Sequence, residues 1–221
     1  MPLPPPPLVL PGLRESDGFV RGHAGALADR PFPPGWIDGD DLVRRFVAAV
    51  DNVAEGHSPR GHFPLLKVEG DFAVSRGADS FALDARGYRR YDALAGRISS
   101  LDVEKSADLY RTLLPLFREA YRDLGYPDRS FDDTFGQALY RLLGAPVVEG
   151  EIVLLKGERI YYFEDPDLES LSPAEKQLIR MGPENTTKIQ GGLRRLASAL
   201  KINPPAEGKG PPPPAVPRPG D

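Results

Sequence analysis

The sequence predicts an α+β fold that is mostly α: a helical domain carrying one or two small β-hairpins, with Pro-rich ends expected to be disordered. Three observations support this. Apolar residues recur at helical spacing through the middle of the chain, as in Leu42, Val43, Phe46, Val47, Val50, Val53 and Ala54. Only two stretches, 72 to 84 and 151 to 165, read as paired strands. Of the 25 Pro, nine precede residue 35 and eight follow residue 203. Their fixed φ and missing backbone donors oppose regular structure there.

The expected division is therefore a Pro-rich segment over 1–12, one compact domain over 13–202 and a Pro-rich tail over 203–221. A domain of that size buries most of the surface its unfolded chain exposes. The formal net charge of −4 and pI near 5.5 give no global attraction to nucleic acid or anionic lipid, so nucleic acid is not an expected partner. The absence of Cys excludes disulfides, thiolate catalysis and Cys-containing zinc sites. No apolar run approaches the ~20 residues that span a bilayer, and MPLPPPPLVLPG lacks the basic and apolar regions of a secretion signal.

A first helix is expected from an Asp17 cap to Ala28, with Phe19, Val20, Ala24 and Leu27 on one face. The second opens on a capping-box-like pair, Asp38 and Asp41, with Ile37 and Leu42 at the staple positions, and ends at Gly56. FAVSRGADSFALD and EIVLLKGERIYYFED read as hairpins that pair into one small sheet or lie against helices. Helices are expected near 86–98, 103–124 and 131–143, the middle one kinked at Pro115 and the last opening on Ser130-x-x-Asp133. In LSPAEKQLIRMGPENTTKIQGGLRRL, Ser172 caps, Pro173 takes the first helical position and Glu175 completes a capping box. Gly182 then ends that helix in a left-handed conformation and Pro183 begins the next, whose apolar face is Ile189, Leu193, Leu196, Ala197 and Leu200.

Few residues suggest chemistry. There is no dinucleotide fingerprint, phosphate-binding loop, H-E-x-x-H or G-x-S-x-G, so no cofactor and no catalytic residue is assigned. His57 and His62 frame a loop and would bind a metal only by converging with an acid such as Asp84 or Glu69; no metal site is assigned. Asp38, Asp40 and Asp41, and the pair Asp132 and Asp133, stand at expected helix starts, where carboxylates satisfy free N–H groups. Asp132 and Asp133 nonetheless carry the alternative of a carboxylate-dependent enzyme. In GYRRYDALAGR, Tyr88, Tyr91 and Leu94 read as core contacts, with Arg89 and Arg90 outside. The second helix of the pair is basic through Lys188, Arg194, Arg195 and Lys201, which carries the alternative of a helix-turn-helix-like DNA binder. The residues at the expected turn positions, Leu178 and Lys188, support that geometry poorly.

DDLVRRFVAAVDNVAEG, GYRRYDAL, LGYPDRSFDD, GAPVVEGEI and LSPAEKQLIRMGPEN together resemble an uncharacterised bacterial family, domain of unknown function 3014, from about Leu13 to Leu200. The resemblance implies no activity or catalytic residue. It does imply an envelope protein with a membrane helix upstream of a Pro-rich spacer, so the domain would be tethered and periplasm-facing if such a helix precedes it, and otherwise cytoplasmic. The leading expectation is a non-enzymatic protein-interaction module at the cell envelope with an unknown protein partner. Its expected surface is Arg180, Met181, Gly182, Pro183, Glu184 and Asn185, with Arg89 and Arg90.

Overall fold

The computed structural model describes residues 9–28, 32, 37–62, 73–77, 80–158 and 160–202. The expectations for Met1–Leu8, for the tail from 203 and for Glu69 lie outside these residues.

Helix α1 (Ser16–Ala24) runs between two 3-10 turns, Leu13–Glu15 and Gly25–Leu27. Asp17, expected to cap this helix, lies in its first turn instead. Its carboxylate accepts the backbone N–H of Asp41 (2.9 Å) and Leu42 (2.8 Å), and so caps α2 (Leu42–Ala54) from 25 residues away. Asp41 itself takes a left-handed conformation (φ 55°, ψ 39°) and its side chain caps nothing, so the expected Asp38–Asp41 box does not form. A short polar side chain tolerates that conformation better than a bulky one. The apolar stripe of α2 is buried as its spacing requires, with Val43 and Val47 at 2% and 1% exposure, and Gly56 (φ 84°) ends the run.

The helix expected over 86–98 is three pieces: α3 (Ala85–Tyr88), a 3-10 turn over Arg89–Tyr91 and α4 (Asp92–Ser99). The tighter turn changes the phase at which side chains emerge and buries Tyr91 beside Leu94. Helix α5 (Val103–Asp123) is continuous across Pro115, which lies on its exposed side. Helix α6 (Phe131–Gly144) starts where Ser130 Oγ accepts the N–H of Asp133 (3.3 Å). The main core lies between α2, α5 and α6. Phe46 meets Phe117 there at 4.9 Å between ring centres, against Phe131 and Phe135.

Both expected hairpins form and join in one antiparallel sheet of order β1-β2-β3-β4: β1 (Val74–Arg76), β2 (Phe81–Leu83), β3 (Val153–Lys156) and β4 (Tyr161–Phe163). Phe81 opposes Leu154 across the seam between hairpins, and Leu154 opposes Phe163. Those residues face a second core that includes Ile179. The alternating partners Leu155 and Tyr162 stay exposed on the other face, as period-2 geometry demands.

Three further helices follow: α7 (Pro166–Ser170), α8 (Pro173–Ile179) and α9 (Pro183–Ala199). Helix α9 packs along α4, α5 and α6. At Gly192 it comes so close to α4 that a Cβ would stand 2.9 Å from the Ile98 carbonyl oxygen. Side chains from distant segments satisfy the free carbonyls at several helix ends. Gln190 donates to Leu142 O (2.9 Å) and Ala145 O (2.8 Å), Arg195 to Ser99 O (2.7 Å) and Arg111 to Ala199 O (2.6 Å).

Candidate functional site: the joint between the last two helices

The capping box of α8 forms as its sequence requires: Ser172 Oγ accepts the N–H of Glu175, and Glu175 Oε2 accepts the N–H of Ser172 (3.0 Å) and its hydroxyl proton. Burial of this box is the unexpected part. Glu175 is 3% exposed, and its Oε2 lies 3.7 Å from Nη1 of Arg141, itself 5% exposed. The same guanidinium donates from Nε (3.2 Å) and Nη2 (3.1 Å) to Ala54 O, the C-terminal end of α2. One buried cation thus ties α2, α6 and α8 together. The signal for it was available: Arg141 falls on the stripe of Thr134, Ala138 and Ala145, all buried, where a charge needs a built-in partner.

Beyond α8 the chain reverses within Arg180–Gly182. Gly182 has φ 86° and ψ 160°, a conformation open essentially to glycine alone but different from the left-handed helical one expected. Its lack of a side chain is also used for packing, since a Cβ would stand 2.5 Å from Cγ and Cδ2 of Tyr88. Asn185 Nδ2 lies 3.0 Å from each of Tyr88 O, Asp92 Oδ1 and Met181 O. Three surrounding acceptors fix the amide with its nitrogen toward them. Gln177 Nε2 donates to the Tyr91 hydroxyl (3.1 Å), and the Thr186 hydroxyl sits 2.8 Å from Leu178 O and 2.9 Å from Gly182 O. Two segments singled out in the sequence, GYRRYD and MGPEN, are therefore the two halves of one joint.

This placement divides the expected interaction residues. Met181, Gly182 and Asn185 are buried inside the joint and cannot touch a partner directly. Arg89 and Glu184 are exposed, while Arg90, Arg180 and Pro183 are half-buried at the rim. Arg90 Nε donates to Gly87 O (3.0 Å), with its guanidinium over the Tyr91 ring, and Glu184 pairs with Lys188 (2.6 Å).

Arg180 differs from its neighbours. Its guanidinium lies 5.1 Å from the centre of the Phe163 ring and has no hydrogen-bond acceptor among the described residues. Glu169, the acid that pulls on it most, is already occupied: Oε2 accepts the N–H of Phe163 (2.8 Å) and Oε1 pairs with Lys176 (2.5 Å). Burial is the largest influence on Arg180 and pushes its pKa below the ordinary value, against Glu169 and Tyr91 and with help from Arg60. The Arg60 side chain also lacks an acceptor among the described residues, so two cations share this corner.

The remaining candidates are separate. Asp132 is held by Arg118 (2.8 Å) and lines an open groove, whereas Asp133 is exposed; the two carboxylates do not converge. Asp84 caps α3 and pairs with Arg86, and among the described residues no three His, Asp or Glu side chains could hold a metal ion. Because α9 is packed along three helices, its basic residues occupy only the strip left exposed. No helix among the described residues is long and apolar enough to cross a membrane.

A family model described as "Protein of unknown function (DUF3014)" matches residues 42–197. No curated protein and no solved structure matches the chain.

Proposed function

The chain belongs to the DUF3014 family of proteins of unknown function, and from that premise we propose that it is a non-enzymatic protein-interaction module of the bacterial cell envelope. The observation that carries the reading is Arg180. A guanidinium half-withdrawn from water, held over the Phe163 ring and without an acceptor among the described residues has already met most of the cost of ordering and desolvation. A carboxylate on a partner protein would complete it with two parallel hydrogen bonds. Arg60 adds positive charge to the same corner, and Arg89 and Glu184 supply the exposed polar rim usual around such an anchor. The envelope placement is supported by the family resemblance and by the Pro-rich segment, whose composition suits a spacer.

The test is photo-crosslinking in the native host from a probe at position 184. One discrete protein adduct is expected, and it should disappear in Arg180→Met while the circular dichroism spectrum is unchanged. An adduct that persists in Arg180→Met, or no adduct with the protein folded and abundant, would sink the proposal.

A further inference from the structure

An open groove of about 520 Å³ lies between the second half of α5 and the start of α6, away from the joint, and the guanidiniums of Arg118, Arg122 and Arg129 line it. Two of them are oriented by acids that use only part of their donor set. Arg118 directs Nε (3.0 Å) and Nη2 (2.8 Å) to a single oxygen of Asp132, which leaves Nη1 without an acceptor among the described residues. Arg129 directs Nη2 to Glu55 (3.0 Å) and lies 4.9 Å from the centre of the Tyr126 ring, with Nε and Nη1 left over. Tyr126 in turn stacks on the buried Tyr121 at 5.0 Å, so this wall is anchored to the core. Arg122, one turn beyond Arg118 on α5, has no acceptor among the described residues.

The rest of the wall is the exposed Pro115 and Pro127, with Ser130 and an edge of the otherwise buried Phe131. Three Arg stand against Asp132 and the Glu55 that pairs with Arg129, so 3 − 2 leaves a surplus of one positive charge, on a chain whose formal net charge is −4. A local reversal of sign inside a concave surface concentrates anions there. The volume suits a small organic molecule. A phosphomonoester offers three terminal oxygens to the three guanidiniums, whereas a carboxylate offers two. Phosphate oxygens also match the fork of donors that a guanidinium presents.

We propose that this groove binds a small soluble phosphomonoester, its phosphate bridging Arg122 and the free edges of Arg118 and Arg129, its carbon body against Pro115 and Pro127. The site is independent of Arg180 and of any protein partner.

The probe is phenyl phosphate, titrated into the full chain and followed by amide chemical shifts. Saturable shifts confined to residues 115–132 are expected, with phenol producing none and benzoate binding more weakly. Arg122→Gln leaves the fold intact because this side chain is exposed and bonds nothing among the described residues, and it should weaken binding about tenfold, the value of one charge-assisted contact. Arg180→Met should leave the titration unchanged, which separates this site from the joint. The inference is overturned if the shifts do not saturate, if they scatter over arginines elsewhere, or if Arg122→Gln binds phenyl phosphate as tightly as the native chain.

Discussion

Replacing Gly182 with Ala tests the joint most directly, because its cost has two separable parts. The backbone at φ 86° and ψ 160° is one that side-chain-bearing residues avoid, a strain of about 1–3 kcal/mol. The new Cβ would also stand 2.5 Å from Tyr88 Cγ and Cδ2. Moving that ring disturbs the contact that seats α3 on the joint, and overpacking of this kind costs about 1–3 kcal/mol. The sum, roughly 2–6 kcal/mol, is a large share of the ~5–15 kcal/mol that stabilises an ordinary domain. Urea denaturation should show the midpoint falling at unchanged slope. A cycle with Tyr88→Ala divides the two parts: in that background the ring is gone, and Gly182→Ala should cost only the backbone strain. Asn should not rescue position 182, since its tolerance is for the left-handed helical region and not for ψ near 160°. A loss below about 1 kcal/mol in the native background, or an equal loss with and without the Tyr88 ring, would refute the account.

Arg141→Met strands the buried Glu175 carboxylate and uncaps Ala54 O, so a loss of about 3–5 kcal/mol is expected, with much of it recovered in Arg141→Met/Glu175→Met; a single variant as stable as the native chain contradicts the buried pair. Asp51 carries a pH dependence. Burial, the main cause, raises its carboxyl above the ordinary 3.8 despite the hydrogen bond from Tyr121, so the folded state holds this proton more tightly than the unfolded one. Ionised Asp51 therefore costs stability, a cost absent below pH 3.8 that grows as pH rises through the raised value and is constant above it. Asp51→Asn should accordingly be more stable than the native chain at pH 7, with the gain vanishing in acid. Chemical denaturation at both pH values decides, and a gain independent of pH counts against the assignment.

What was legible in the sequence was local. The capping box of Ser172 and Glu175, the stripe of α2 and the alternation of both hairpins are each set by residues a few positions apart, and each formed. Partners distant in sequence were not legible. Nothing near Asp17 shows that its carboxylate caps a helix 25 residues later, so the sequence points it to its own helix and gives the start of α2 to the pair Asp38 and Asp41. Gly182 was read as a helix stop; that it also makes room for Tyr88 depends on a contact across more than ninety residues. Asn185 looked like surface for the same reason, since its three acceptors come from two segments. The Arg118 groove is not legible because its charges lie on α5, on the loop after it and at the start of α6, and each taken singly is an ordinary surface charge.

The seam between β2 and β3 sets an order in time. Each hairpin closes a short loop, which takes microseconds, but Phe81 and Leu154 lie about 70 residues apart. Loop closure over that length costs roughly 2–3 kcal/mol more than closing either turn. Among the described residues, only Phe81 opposite Leu154 and Ala82 opposite Val153 pair across the seam, with one further bond from Leu83 N to Ile152 O (3.0 Å). So few bonds cannot draw the ends together unaided. The intervening helices must pack first, and protection of the Leu83 amide in pulse-labelled hydrogen exchange should trail that of α5 and α6. The sheet is the clasp that fastens last, after everything it encloses is in place.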